Sequence, residues 1–189
     1  MNKGMLCARK SVALIGEWMS QKNNSGLVNK IKIRRATRAD VKILVPFAKN
    51  EILKASHYNS EARNAYAAHV SSAYMLGIVK GEGFAVMALN GAEPVGCLWA
   101  SFDSADRSIM TFEWVLVNKN YKKHGIAMLM HNFAEKLAMR QGVRKIWGDS
   151  RASNYPAIAL ETDLGVRRIG KLKKHWFGQD YIFWEKQLR

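Results

Sequence analysis

Residues 118–127 read Asn-Lys-Asn-Tyr-Lys-Lys-His-Gly-Ile-Ala, a basic turn that ends on a glycine and enters an apolar-striped segment. A glycine at the mouth of a helix lets backbone N–H groups approach an anion, and the helix end adds about half a positive charge. Lys122, Lys123 and His124 strengthen that field, so the stretch from Lys122 through Gly125 and Ile126 to Ala127 suits a pyrophosphate. The alternative is an ordinary strand-to-helix turn with solvated lysines. Just upstream, Glu113 sits between Phe112 and Trp114, where burial raises a carboxyl's proton affinity and equips it as a base. In a regular strand it shares a face with Val115 and Val117; otherwise it is an exposed partner for a lysine. Other chemistries lack their residues. The five histidines are scattered without two-histidine ligand spacing, and Cys7 and Cys97 stand far apart. No metal and no covalent cysteine intermediate are expected.

The elements that must position these groups follow from periodicity. Ile31 and Ile33 alternate with Lys32 and Arg34, a first strand. Thr37 with Asp40 three residues on is a capping box opening a helix along Val41, Leu44, Ala48 and Ile52, with Pro46 set to kink or shorten it. Glu61 to Met75, free of glycine and proline, predicts one helix ended by Gly77. Phe84–Leu89 and Val95–Phe102 flank Asn90-Gly91, a hairpin signal, and Ser108–Val117 is a longer strand. From Gly125 to Gln141, Ile126, Leu129, Met130, Phe133 and Leu137 form a helical stripe, with His131, Asn132, Lys136 and Arg140 off it. Arg144–Gly148, Val166–Lys171 and Tyr181–Lys186 read as strands, and Pro156–Leu164 as a short helix stopped by Gly165. The order β-α-α-β-β-β-α-β-α-β-β is a mixed α/β architecture.

The segment Lys122–Ala127 resembles the acetyl-CoA motif of the GNAT superfamily of N-acetyltransferases, Arg/Gln-x-x-Gly-x-Gly/Ala, with lysine in the first place. A second, independent match is Trp147-Gly148-Asp149-Ser150-Arg151-Ala152-Ser153-Asn154, followed by Ala157-Ile158-Ala159-Leu160 and Leu164-Gly165. It resembles bacterial ribosomal-protein N-terminal alanine acetyltransferases, whose segment reads like Trp-x-Glu-Val-Arg-Ala-Ser-Asn. The likeness spans about residues 31–189.

The resemblance implies a mixed central sheet flanked by helices and an acetyl-CoA co-substrate. It places Val115, Leu116 and Val117 along the pantetheine arm and acyl carbonyl, and Asn154 against the cofactor. Asn154 with Ser153 also suits a helix cap before Pro156. Asp149 falls where the family carries a glutamate general base, with Glu113 as the competing base; a strand-end acid capping the next loop is the alternative for Asp149. Glu161 stands where the family has a tyrosine that protonates the departing thiolate, and an ionised carboxylate there would repel it. Tyr155, Tyr121 or water could serve instead, or the thiolate could leave without a dedicated acid. The implied reaction is direct transfer to a primary amine in a ternary complex, with a protein N-terminus, polyamine or aminoglycoside as acceptor.

Length, 48% hydrophobic residues and three prolines suit one domain over residues 31–189, preceded by a partly helical extension over 1–30. No run approaches membrane-spanning length, and residues 11–16 are too short for a secretory core, so a soluble, cytoplasmic protein is expected. The net charge of +15 points to an anionic partner. It divides as +9 over residues 1–60, −2 over 61–110 and +8 over 111–189, an uneven distribution for a nucleic-acid wrapper. Trp176, Tyr181 and Trp184 among Lys171, Lys173, Lys174 and Arg189 nevertheless keep a nucleic-acid or ribosome-binding surface open. A non-catalytic acyl-CoA sensor is the third reading, prompted by Glu161.

Overall fold

The computed structural model describes residues 30–188. The expected N-terminal extension lies outside them apart from Lys30.

One seven-stranded sheet, in the order β1-β2-β3-β4-β5-β7-β6, runs through the molecule. Strand β1 is Ile31–Arg35, β2 Gly83–Asn90, β3 Glu93–Phe102, β4 Ile109–Val117, β5 Lys145–Arg151, β6 Arg167–Leu172 and β7 Tyr181–Gln187. All neighbours are antiparallel except β4 and β5. That parallel pair requires a crossover, supplied by helix α4, Ile126–Arg140.

Between β1 and β2 lie α1 (Val41–Leu53), α2 (Ser60–His69) and α3 (Ser72–Gly77); α5 (Tyr155–Asp163) joins β5 to β6. Helices α1–α3 cover one face of the sheet, burying Leu44, Ala48, Ile52 and Met75 against Met87, Cys97 and Trp99. On the other face Ile126, Met130, Ala134 and Ala138 of α4 pack on Phe84, Val86, Leu98 and Ile146. Because both faces are covered, β2 is buried along its length up to Leu89 and reads as a continuous apolar run.

The capping box forms. Asp40 accepts from the Thr37 N–H and hydroxyl, each at 2.7 Å, and takes a two-pronged ion pair from Arg34. Helix α1 runs through Pro46 to Leu53, so the proline neither shortens nor ends it. The single helix expected over residues 61–75 is broken in two at Val70. There the backbone leaves the helical region to bury the valine, and Ser71 starts a new helix by accepting from the Tyr74 N–H at 3.1 Å. The stop expected at Gly77 comes later: Gly77 keeps helical angles, and Gly81, at φ 147, turns the chain into β2. His131, placed off the apolar stripe of α4, is buried against Phe112 and faces Glu135 at 3.4 Å.

Candidate active site

Strands β4 and β5 pair only at Ile109–Lys145, Met110–Ile146 and Thr111–Trp147. Beyond that register β4 continues to Val117 and β5 to Arg151 without hydrogen-bonding each other, so a cleft opens in the middle of the sheet. Gly148 stands at its apex. A Cβ there would lie 2.6 Å from the Trp184 ring and 2.8 Å from the Phe112 carbonyl oxygen, so only glycine lets the strands meet and then part. Val115, Leu116 and Val117 still pair with Leu98, Cys97 and Gly96 of β3. Their alternate N–H and C=O groups on the other edge face the cleft.

A β-bulge lies in β4. Trp99 pairs with Trp114 but Ala100 with Phe112, leaving Glu113 as the extra residue. Met110 and Phe112 therefore join the core under α4, while Trp114 and Leu116 join the core under α1–α3. Glu113 faces the α1–α3 side, accepting hydrogen bonds from the Tyr74 hydroxyl and from Trp99 Nε1 at 3.2 Å. The regular-strand expectation that it shares a face with Val115 and Val117 is thus overturned by the bulge.

Across the cleft, Asp149 is half-buried and takes no hydrogen bond among the described residues. Burial pushes its carboxyl up to about 6; Arg151 pulls the other way, and the charge of Glu113 adds to the rise. The flanking Ser150 points to the opposite face and donates to Glu161 of α5. Burial there raises Glu161 to about 7, so near neutrality much of it is protonated, which removes the expected objection of a fixed negative charge. The Trp184 indole N–H lies close enough to favour the charged form of Glu161 without reaching hydrogen-bond geometry.

On the Asp149 side the wall is aromatic. Tyr58, Tyr66 and Trp114 pack with ring centroids 5.3–5.6 Å apart, Phe177 meets Tyr66 at 5.3 Å, and the Tyr66 and Tyr181 hydroxyls bond at 2.8 Å. Asn59 ties the α1–α2 loop to the β6–β7 turn, bonding Gln179 at 3.2 Å and the Phe177 carbonyl at 3.1 Å.

The turn before α4 has the expected shape. Gly125 occupies the left-handed region at φ 76, Lys123 does so at φ 65, and among the described residues no side chain caps the helix. Its first N–H groups are left for an outside acceptor. Lys122 and Lys123 are exposed, whereas the side chain of Ile126 is buried in the core, so any ligand contact it makes is through its backbone. Asn154 caps α5 by accepting from the Ala157 N–H at 3.4 Å, and its amide donates to His57 Nε2 at 3.2 Å. That polarity needs the proton on Nδ1 of a neutral ring, and burial, helped by Arg151 and Lys122, pushes His57 down to about 4 and so keeps the ring neutral. Tyr121, weighed as an acid, accepts from the Asn90 amide at 3.1 Å beside the β2–β3 turn. Of the aromatics weighed for nucleic-acid contact, Tyr181 and Trp184 are buried and only Trp176 is exposed.

The cleft thus gathers Asp149, Glu113, Asn154 and the strand 115–117, with the uncapped helix turn on the same sheet. His57, Tyr58, Tyr66, Tyr74, Trp99, Arg151 and Phe177 complete it and were not expected. They come from six separate elements and carry no spacing signal, except that Arg151 lies inside the second motif.

A family model described as Acetyltransferase (GNAT) family matches residues 50–165, more than half of the chain. Comparison with curated protein sequences finds no match. Among solved structures, an acetyltransferase of the GNAT family from Streptococcus pneumoniae superposes with a TM-score of 0.68 at 17% identity, covering 84% of this chain and 99% of its own. The ribosomal-protein-alanine N-acetyltransferase of Brucella melitensis gives 0.65 at 20% identity, covering 83% and 99%. The paia N-acetyltransferase of Thermoplasma acidophilum, solved in complex with coenzyme A, gives 0.68 at 16% identity, covering 83% and 98%. These likenesses establish the fold, and the family model, lying across the cleft and the glycine turn, establishes that the chain belongs to the acetyltransferase (GNAT) family.

Proposed function

We propose that this protein transfers an acetyl group from acetyl-CoA to a primary amine by direct attack, without a covalent enzyme intermediate. The observation that carries the reading is Asp149: a carboxylate at the mouth of the cleft, free of hydrogen bonds among the described residues, with a proton affinity brought near 6. An amine is an ammonium ion at neutral pH and must lose a proton before it can attack, and a base of that strength is suited to accept it. Glu113 is a poorer candidate because Tyr74 and Trp99 already donate to it.

The chain's groups suit acetyl-CoA. The uncapped N-terminus of α4, with Lys122, Lys123 and His124, would hold the pyrophosphate, and the free edge of Val115–Val117 would pair with the amide-bearing arm. Asn154 would exchange its His57 contact for the same arm. When bound, the co-substrate supplies a thioester. Backbone N–H groups of β4 stabilise the developing oxyanion, and holding both reactants in one cleft supplies effective molarities of about 10⁵ M or more. Cys97 is fully buried with its thiol pushed well above its usual range, which supports a mechanism without a cysteine nucleophile.

Calorimetric titration with acetyl-CoA, beside a Gly125→Glu variant, tests the cofactor half of the reading. The wild type should bind and the variant lose binding, since a carboxylate and a strained left-handed residue would occupy the phosphate position. Absence of binding by folded wild type would refute it.

A further inference from the structure

Arg151 is 1% exposed, and its Nε, Nη1 and Nη2 atoms have no hydrogen-bond partner among the described residues. Its two faces are covered by Tyr58 at 4.6 Å and Tyr181 at 4.3 Å. Cation–π contact offsets part of the cost of burying a charge, but it leaves the edge of the guanidinium, where all the N–H groups lie, unsatisfied. Asp149, two residues earlier on the same face of β5, makes no ion pair with it. Alternate residues of a strand stand about 6.6 Å apart, close enough for one small molecule to touch both.

Arg151 also belongs to the wall of a cavity of about 350 Å³, together with Ala152, Ser153, Tyr155, Gln179 and Asp180. The other polar groups there are largely engaged. Asp180 is paired with Lys171 at 2.8 Å and accepts from the Lys174 N–H, and Gln179 is bonded to Asn59 and His57. Arg151 is the charged side chain of that wall left without a partner.

Resting on the acetyl-transfer reading, we infer that Arg151 receives a carboxylate of the acceptor, so that the acceptor is a free α-amino acid or an equally small amine bearing a carboxylate. The guanidinium edge presents parallel N–H groups that match a carboxylate two-to-two. An α-amino acid carries ammonium and carboxylate on one carbon, and charge-assisted hydrogen bonds of about 2.8 Å at each end let it bridge Asp149 and Arg151. The proton then leaves the nitrogen toward Asp149 while the carboxylate stays on Arg151. The aromatic wall of Tyr58, Tyr66, Trp114 and Phe177 suits the ammonium and the side chain. Lys122 of the α4 turn and Arg151 both bear on His57, so the test separates a carboxylate of the acceptor from an anion of the cofactor.

The test is a panel of the twenty α-amino acids, each beside its α-carboxamide, and alanine-initiated tripeptides, assayed with acetyl-CoA by thiol release and titrated calorimetrically into the CoA-loaded protein. Free amino acids should be preferred over their carboxamides by about 10-fold or more, with the difference in KM or Kd. Arg151→Met should bring that ratio toward one, and Arg151→Lys should retain part of it. Carboxamides or tripeptides used as well as free amino acids by the wild type would overturn the inference, and this arm stands even where a variant fails to fold. A preference that survives in folded Arg151→Met would overturn it too. So would lost acetyl-CoA affinity with the acceptor preference intact, which would assign the anion to the cofactor. Selective binding of amino acids without any thiol release would instead refute acetyl transfer while upholding the carboxylate site.

Discussion

Replacing Asp149 by Asn keeps the size and the neutral form of the side chain and removes only its ability to ionise. Two consequences follow from its position in the cleft. For catalysis, loss of a general base costs about 10²- to 10⁴-fold in kcat/KM. The wild type should lose activity about tenfold per pH unit below about 6, where Asp149 becomes protonated, and Asp149→Asn should lack that limb. For stability, the sign is opposite to that of an ordinary salt-bridged aspartate. Because the folded state raises the carboxyl from 3.8 to about 6, it favours the protonated form. That stabilisation is present in full below the unfolded value and disappears as pH rises through 6. At about 1.4 kcal/mol per pH unit, ionised Asp149 costs the fold about 3 kcal/mol at pH 8, of which about 1 kcal/mol is already felt at pH 4.5. Urea unfolding of both proteins should therefore show the stability gap moving by about 2 kcal/mol in favour of Asp149→Asn between pH 4.5 and pH 8. A constant gap, or an acid limb that persists in Asp149→Asn and vanishes in Glu113→Gln, would transfer the role to Glu113.

Glu161→Gln preserves the acceptor for Ser150 and removes a buried carboxyl whose proton affinity is raised to about 7, so it should stabilise the protein by about 3 kcal/mol at pH 8 and about 1 kcal/mol at pH 5; urea melts at the two pH values check this. Its effect should fall short of additive with Asp149→Asn, because the two charges interact. Gly148→Ala places a methyl 2.6 Å from Trp184 and 2.8 Å from the Phe112 carbonyl, and should cost about 1–3 kcal/mol with a matching fall in acetyl-CoA affinity, read by thermal melting and calorimetry.

What the sequence determined by itself was local. Alternation set β1, the Asn90-Gly91 turn set the β2–β3 hairpin, Thr37 and Asp40 set the start of the first helical segment, and Lys122–Ala127 announced a glycine turn into a helix. These depend on neighbours within a turn or two of the chain, which is why they survive without knowledge of the fold. The second motif also singled out Asp149 and Asn154, which stand on β5 and at the start of α5. Tertiary structure decided the rest. The helix break at Val70 exists because that valine is drawn into the core under α1–α3, a demand that helix propensity over 61–75 does not contain. The face of Glu113 depends on a bulge, and a bulge is a mismatch of count between two strands, visible only once Trp99 is paired with Trp114 and Ala100 with Phe112. The proton affinity of Asp149 is a product of burial and of charges on β4 and β5 together, and the clasp on Arg151 joins Tyr58 to Tyr181. Side chains so distant along the chain are brought together by sheet register and helix packing, and it is on that convergence that the proposed acceptor site rests.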